Sequence, residues 1–180
     1  MTDMLKNCQL CPRACGADRT KSRGACGAGI EIEAARASLH MWEEPPISGT
    51  NGSGTVFFSH CSLGCVFCQN RKISRREAEG QNITADALAK TFLSLEKKGA
   101  HNINLVTGAH YVPQIIEALQ IARKQGLSLP VVYNSSGYEQ VETLQLLDGH
   151  IDIYLPDYKY YSSYYAGLYS HAEDYREFAV

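Results

Sequence analysis

The sequence has no long apolar run, no excess of positive charge and no apolar core near its N-terminus. A membrane-spanning helix needs roughly 18 or more consecutive apolar residues, so we expect no membrane segment. The net charge of −2 argues against nucleic-acid binding driven by bulk positive charge. Residues 1–8 lack the apolar stretch of a secretory signal peptide. We therefore expect a protein of the cytoplasm.

Cysteine occurs in an odd number, and disulfides are not expected in a reducing compartment. The seven cysteines are better interpreted as metal ligands or free thiols, divided into a set of four and a set of three. The 180 residues have room for one domain with a sizeable core and a small appendage. A stretch rich in Gly, Pro and Ser after Trp42 predicts a boundary near residue 50. We expect a Cys-rich metal-binding segment with its connector over residues 1–50 and the main domain over 51–180.

Cys61, Cys65 and Cys68 form a C-x3-C-x2-C group just after the apolar run Val56–Phe58. The run predicts a buried strand, and the cysteines predict a loop that leaves its C-terminal end. A [4Fe–4S] cluster needs four ligands, so three local thiolates would leave one iron open to a small molecule. Such an open position distinguishes a catalytic metal site from a closed structural one. The alternatives are a group of buried thiols, or three of the four ligands of a zinc ion.

A second set of cysteines, Cys8, Cys11, Cys15 and Cys26, lies near the N-terminus. Glycines and a proline surround these residues and predict knuckle-like turns around a metal rather than a helix or strand. Four thiolates could close a tetrahedral zinc site or hold a second iron–sulfur cluster. The spacing alone does not separate the two metals, and unmetallated thiols remain the third alternative.

Strands and helices alternate after the loop that contains Cys61, Cys65 and Cys68. Further strands are predicted over Asn102–Val106, Leu127–Asn134 and Ile151–Leu155, with helices from Thr84 to Gly99, after Pro113, and over Tyr138–Leu147. This order predicts an α/β fold in which a parallel sheet is covered by helices through right-handed crossovers. Ligands bind such barrels on the loops at the C-terminal ends of the strands.

Polar residues and a glycine follow the strands at those ends: Thr107, Gly108, Asn134, Ser135, Asp157 and Lys159. Each could serve only to build a turn, because Asn, Ser, Gly and Asp all favour turns. Their common position around a loop with three cysteines favours a binding site instead.

The motif Cys61-x3-Cys65-x2-Cys68, with Phe67 before the third cysteine, resembles the signature of radical S-adenosylmethionine (SAM) enzymes. The fuller context, Cys-x-Leu-Gly-Cys-Val-Phe-Cys-Gln-Asn, resembles the pyruvate formate-lyase activating enzyme-like branch. The resemblance extends more loosely from Cys8 to about Tyr161. It implies a partial (β/α) barrel of the radical SAM type. The family barrel usually has six βα units, and the sequence predicts four, so we expect the C-terminal units to be missing.

The resemblance also implies roles for the residues around the loop. Phe67 would lie beside the adenine of SAM, and Asn70 would brace the loop. The family's Gly-Gly-Glu-like segment, which binds the methionine amino group, is replaced by Thr107-Gly108-Ala109-His110. A backbone contact is implied at Thr107 and Gly108, whereas the absent glutamate puts the acidic contact in doubt.

Two further strand ends match the family pattern. Asn134 and Ser135 correspond to positions that line the SAM site after the third strand. Asp157 and Lys159 correspond to an Asp-x-Lys pair in which the lysine meets the SAM carboxylate. The aspartate of that pair contributes to a polar or cation-binding surface at the base of the SAM site.

The implied function is reductive cleavage of SAM, bound at a [4Fe–4S] cluster, to a 5′-deoxyadenosyl radical that abstracts hydrogen from a substrate. No protein residue is assigned a catalytic role, because the cofactors carry this chemistry. The expected partners are a reductant such as flavodoxin or ferredoxin and a glycyl-radical enzyme or another protein substrate. The alternative is a non-catalytic iron–sulfur or zinc protein that transfers electrons or mediates an interaction.

Overall fold

The computed structural model describes residues 2–179 and is built on one mixed sheet. Its six strands are β1 Ile32–His40, β2 Ser53–Phe58, β3 Gln81–Ile83, β4 Ile103–Val106, β5 Val131–Ser135 and β6 Ile153–Pro156. Their spatial order is β3-β1-β2-β4-β5-β6. The strands β2, β4, β5 and β6 run parallel, whereas β1 is antiparallel to both β2 and β3.

Helices connect and cover these strands. They are α1 Pro45–Ser48, α2 Arg71–Ser74, α3 Ala85–Lys97, α4 Val112–Lys124, α5 Val141–Leu146, α6 Ser163–Ser170 and α7 Tyr175–Ala179. Two short 3₁₀ segments cover Thr2–Leu5 and Ala109–Tyr111. The mixed α/β architecture with four parallel strands confirms the predicted fold class, a partial β/α fold with a Cys-rich N-terminal segment. The proposed division at residue 50 stays a prediction.

The main core lies between one face of the sheet and the helices α3 and α4. The predicted stripe of α3, Leu88, Phe92 and Leu95, is fully buried there. The inward side chains predicted for α4 are buried as well: Ile115, Ile116, Leu119 and Ala122. Because side chains alternate along a strand, one face of each central strand supplies the matching apolar surface.

The edge strand β3 was not expected, because the sequence predicts no strand between the cysteine loop and the helix that begins at Thr84. Ile83 pairs with Ile32 of β1, so the chain stays extended until Thr84. The helix α3 then begins as predicted, with the Thr84 Oγ1 accepting a hydrogen bond of 3.2 Å from the amide of Ala87. A three-residue polar strand has no periodicity of its own, and its structure depends on its partner.

Two predicted boundaries were wrong in detail. The strand β5 begins at Val131 rather than at Leu127, because the amide of Leu127 still bonds to Ala122 at the end of α4. The helix α5 begins at Val141 rather than at Tyr138. The preceding residues form a turn in which Gly137 has a φ of +71°, a value that favours glycine.

No helix within residues 2–179 combines the length and the apolar character that crossing a membrane requires.

The burial of Phe92 gives a test of the core. Replacing Phe92 with Ala should lower the free energy of unfolding by about 3–5 kcal/mol, since a fully buried ring is removed and a cavity remains. Urea unfolding followed by circular dichroism measures the change. The matched control is Lys90→Ala on the exposed side of the same helix, and equal losses in both variants would contradict this packing.

Candidate functional site

The cysteine loop, residues 59–70, leaves the C-terminal end of β2 and leads into α2. The strands β4, β5 and β6 run parallel to β2, so the residues that follow them lie at the same edge of the sheet. The structure therefore brings Thr107, Asn134 and Asp157 to the edge that carries Cys61. This arrangement agrees with the placement predicted from the alternation of strands and helices.

The three thiols of the loop lie in or against one cluster of side chains. The pKa of the Cys61 thiol is raised to about 11, mainly by burial and to a smaller extent by the nearby Cys65 and Cys68 thiols. The backbone amides of Leu63 and Gly64 bond to the Cys61 sulfur and oppose that shift, because they favour the thiolate. The Ser74 Oγ donates a hydrogen bond of 3.3 Å to the Cys68 Sγ. The loop thus supplies both sulfur ligands and donors that favour negative charge on them.

The donor chemistry fits an iron–sulfur cluster better than one ion. Within residues 2–179, no three His, Cys, Asp or Glu side chains form a group that could hold a single metal ion. A [4Fe–4S] cluster instead takes one thiolate on each iron, so its ligands need not converge on one point. Cys61 and Gly64 also line a cavity of about 570 Å³ with Arg13 and Arg75, so the group has an open side.

A buried network holds the residue before the first loop cysteine. His60 is fully buried, and its Nε2 lies 3.0 Å from the Glu33 Oε2. The Arg23 guanidinium bonds to the other oxygen of Glu33 at 2.7 Å, and the His60 Nδ1 lies 3.2 Å from the Arg75 carbonyl oxygen. Sequence analysis did not select these residues, because they are far apart in the chain and share no motif. The network ties the start of the loop to β1.

Two arginines bond to the carbonyl oxygens of the loop. Arg75 donates to the carbonyls of Gly64 at 2.8 Å and Cys65 at 3.1 Å. Arg13, which lies between two N-terminal cysteines, donates to the carbonyl of Ser62 at 3.0 Å. The carbonyl groups of a loop outside regular secondary structure lack backbone partners, and these two arginines supply the missing hydrogen-bond donors.

The segment after β4 has an unusual backbone. Thr107 has a φ of +62°, which is rare for a β-branched residue and costs free energy. Its amide donates to the Asn134 carbonyl at 3.0 Å and so joins the ends of β4 and β5. A Cβ on Gly108 would lie 2.8 Å from the Ile115 Cδ1, so any larger residue there would require the Ile115 side chain to shift.

Asn134 and Ser135, which were predicted to follow the third parallel strand, are instead the last two residues of β5, and they differ in their surroundings. The Asn134 Nδ2 donates a hydrogen bond of 3.2 Å to the Glu43 Oε2, and the Glu43 side chain is only 14% exposed. The connector therefore brings a carboxylate to this strand, which sequence analysis missed. The Ser135 Oγ accepts a bond of 3.1 Å from the Gly137 amide, as in an ordinary turn.

Asp157 and Lys159 form an ion pair with each other at the end of β6. The amide of Lys159 donates a hydrogen bond of 2.8 Å to the Tyr175 hydroxyl. That hydroxyl also lies 2.8 Å from the Ser136 carbonyl and 2.9 Å from the Asp157 carbonyl. Tyr175 of α7, which the sequence did not identify, thus joins the loops after β5 and β6.

Phe67 and Asn70 lie on the outer part of the cysteine loop. Phe67 is 55% exposed, and its ring makes edge contacts with the rings of Tyr160 and Tyr169. The ring centroids are 5.8 Å apart for Tyr160 and 6.3 Å apart for Tyr169. Asn70 is exposed at the start of α2, where its carbonyl accepts a bond from the Ser74 amide. The predicted contact of Phe67 with adenine and the bracing role of Asn70 stay predictions.

The four N-terminal cysteines also come together. The pKa of the Cys11 thiol is raised to about 12, mainly by burial and to a smaller extent by the thiols of Cys26, Cys8 and Cys15. A Cβ built on Gly24 would lie 3.6 Å from the Cys26 Sγ and 3.7 Å from the Cys15 Sγ. The chain therefore holds two separate groups of thiols, and Cys26 and Cys61 line the same cavity.

Glu139, in the turn after β5, is a buried carboxyl that sequence analysis missed. Burial raises its pKa from 4.5 to about 8, although hydrogen bonds from Ser135 and Tyr133 oppose the shift. The Tyr133 hydroxyl lies 3.3 Å from the Glu139 Oε2. Glu139 therefore keeps its proton at neutral pH in the folded protein.

The Glu139 proton gives a pH-dependent test. Because the folded pKa is raised, the carboxyl favours the folded state below pH 4.5, and this contribution is lost as the pH rises through about 8. Glu139→Gln keeps a neutral side chain, so its unfolding free energy relative to wild type should be higher at pH 9 than at pH 5. Urea unfolding at both values checks this, with the exposed Glu142→Gln as the control. The same difference at both pH values would contradict the buried neutral carboxyl.

Comparison with known proteins identifies the family. The model of the Radical SAM superfamily matches residues 55–175. The chain is 31% identical over 163 residues to the uncharacterized protein MJ0674 of Methanocaldococcus jannaschii, a match that covers 88% of this chain and 47% of that protein. The chain therefore spans about half the length of this curated relative. No solved structure matches it significantly. The family match includes the cysteine loop and all four parallel strands apart from the start of β2, and the chain belongs to the radical SAM superfamily.

Proposed function

We propose that the chain binds a [4Fe–4S] cluster through Cys61, Cys65 and Cys68 and binds SAM at the open iron. The observation that carries this proposal is the meeting of three adjacent thiols with polar strand ends at one edge of a parallel sheet. When bound, the reduced cluster supplies the electron that cleaves SAM into methionine and a 5′-deoxyadenosyl radical. The chain's own residues hold, orient and shield these groups.

Each strand end has a separate task in this proposal. The backbone at Thr107 and Gly108 is assigned to the amino-acid part of SAM, because both residues follow β4 at the edge that carries the cysteine loop. Lys159 meets the SAM carboxylate, and Asp157 holds that lysine in place through their ion pair. The remaining contacts are assigned to Asn134, Ser135, Phe67 and Asn70. Amides and the Ser74 hydroxyl stabilise negative charge on the cysteine sulfurs.

We further propose that the enzyme is of the pyruvate formate-lyase activating enzyme type. The sequence around the three cysteines supports this branch. Its reductant would be a flavodoxin or ferredoxin, and its substrate a glycyl-radical enzyme or another protein. All seven cysteines are free, which supports a reducing compartment such as the cytoplasm. The match covers 47% of the relative, so these properties of a whole enzyme are proposals.

The second candidate is a non-catalytic iron–sulfur or zinc protein used for electron transfer or interaction. One observation favours it. Cys65 is buried in an apolar cluster with Tyr160 and Tyr175 from the C-terminal segment, so this part of the loop is closed. A closed metal site is typical of structural rather than catalytic centres. SAM cleavage separates the two candidates.

Replacing Cys65 with Ala tests the cluster. After anaerobic reconstitution with iron and sulfide, the wild-type chain should show the absorbance of a cluster. With dithionite added as the electron donor, it should convert SAM to methionine and 5′-deoxyadenosine. Cys65→Ala should lose both properties because one iron ligand is gone. Val66→Ala is the matched control, since it truncates an exposed side chain of the same loop that is not a metal ligand and should keep SAM cleavage. No cluster in the wild type, or equal cleavage by Cys65→Ala, would refute the first candidate.

Replacing Lys159 with Met tests the SAM contact separately. Loss of one charge-assisted hydrogen bond should raise the KM for SAM about tenfold or more. Cluster absorbance should not change, because Lys159 is not a ligand. The control is Lys124→Met at the end of α4, remote from the strand ends. An unchanged KM in Lys159→Met would show that the lysine does not bind SAM.

A further inference from the structure

Positive charge is concentrated beside the cysteine loop, although the chain as a whole has a net charge of −2. Four basic side chains fall within six residues just after that loop: Arg71, Lys72, Arg75 and Arg76. Arg36 of β1 lines the same cavity of about 760 Å³ as Arg71 and Lys72. The exposed members of this group form a surface that we call the basic surface: Arg36, Arg71, Lys72 and Arg76.

The charges of the basic surface are not neutralised by the chain itself. No ion pair among residues 2–179 includes one of its four members. Glu77 lines the same cavity but forms no ion pair within the described part of the chain. The Arg36 guanidinium lies 4.5 Å from the centroid of the Phe57 ring, which holds it in place without cancelling its charge. Because neighbouring like charges repel one another, a negatively charged partner would stabilise this surface.

The basic surface lies next to the sulfur atoms of the cysteine loop. Arg71 and Arg76 line the cavity of about 570 Å³ that Cys61 also lines. The helix α2, which carries Arg71, contacts a second thiol, because its Ser74 Oγ donates a hydrogen bond of 3.3 Å to the Cys68 Sγ. A partner bound to the basic surface would therefore lie beside two of the three proposed cluster ligands.

The composition of this region indicates the kind of partner. Among the described residues that line the two cavities, Val66 is the only large apolar side chain that is exposed. Permanent interfaces have an apolar core, whereas encounters between electron-transfer proteins are small and transient. Complementary charge mainly accelerates such encounters. The region therefore fits an acidic protein that binds briefly, and the net charge of the chain gives no general attraction for nucleic acid.

We propose that the basic surface is the docking site of an acidic electron-carrier protein. This inference rests on the proposed function, which needs an electron from outside the chain, and it adds the surface at which the electron arrives. The carrier loses one electron, which passes to the cluster, and no bond forms or breaks in this step. The four basic side chains contact the carrier rather than SAM, so they determine the rate of encounter and not the affinity for SAM.

The experiment measures electron transfer between two proteins. The reconstituted chain is reduced with dithionite, freed of excess dithionite and mixed with an oxidised plant-type [2Fe–2S] ferredoxin of net negative charge. Bleaching of the ferredoxin reports transfer through the same encounter complex, because the transfer is reversible. Arg71→Glu/Lys72→Glu should slow it about tenfold or more at low salt, since two attractive charges become repulsive. Raising the salt from about 20 mM to about 500 mM should slow the wild type and reduce the difference.

Two controls separate docking from other effects. Lys97→Glu/Lys98→Glu makes the same change in net charge at the end of α3, which leads to the start of β4 at the opposite edge of the sheet. It should change the ferredoxin rate by less than about twofold. Transfer to benzyl viologen, a small dication that needs no docking surface, should not be slower in either double variant. Cluster absorbance should equal that of the wild type in both, because neither removes a ligand.

Each outcome bears on the proposal. Equal ferredoxin rates in the wild type and Arg71→Glu/Lys72→Glu would overturn the docking site and leave the proposed function intact. Equal slowing by both double variants would also overturn it, because net charge alone would then be responsible. A wild type that reduces benzyl viologen but not ferredoxin would have the same consequence. A wild type without a reducible cluster would instead refute the proposed function itself.

A neutral variant keeps the test decisive if charge reversal disturbs the cysteine loop. Arg71→Gln/Lys72→Gln should slow transfer to ferredoxin by less than the reversal does and leave transfer to benzyl viologen unchanged. Slowing of both acceptors by this variant would show damage to the cluster site and would contradict docking. Binding of a single-stranded oligonucleotide that is lost in this variant, with an unchanged ferredoxin rate, would assign the basic surface to nucleic acid.

Discussion

The parallel pairing of β2, β4, β5 and β6 is the constraint on which the site depends. Parallel strands end at one edge, so residues separated by about half the chain meet there without any local signal. The cysteine loop is a local feature of the sequence, whereas the polar groups near it come from other strands that end at the same edge. The bond between the Thr107 amide and the Asn134 carbonyl shows how closely neighbouring strand ends approach. The strained φ of Thr107 is maintained by that pairing.

A second requirement follows from the irregular backbone of the cysteine loop. Its carbonyl oxygens need hydrogen-bond donors. Arg13, which precedes the loop in the sequence, and Arg75, which follows it, supply them. His60 and Glu33 fix the start of the loop against β1. The antiparallel strand β1, which lies between β3 and β2, therefore also helps to support the site. Most of these contacts are hydrogen bonds that involve charged side chains, rather than apolar contacts.

The sequence predicted the features whose signal is local. The cap at Thr84, the stripe around Phe92 and the apolar runs of the parallel strands could all be read within short windows. The strand β3 could not, because its three residues are extended only through pairing with β1. Nor could the contacts of Arg13 and Arg19, since they join residues that are 49 and 91 positions apart. Glu43 looked like a loop residue because nothing nearby in sequence indicates its bond to Asn134.

The two groups of cysteines illustrate opposite electrostatic solutions. At the cysteine loop, amides and a hydroxyl approach the sulfurs, so negative charge is stabilised by dipoles that carry no net charge. At the N-terminal set, the buried guanidinium of Arg19 lies 3.9 Å from the Cys8 Sγ. A full positive charge favours negative charge on a neighbouring sulfur more strongly than uncharged dipoles do, so the two groups of thiols lie in different electrostatic surroundings.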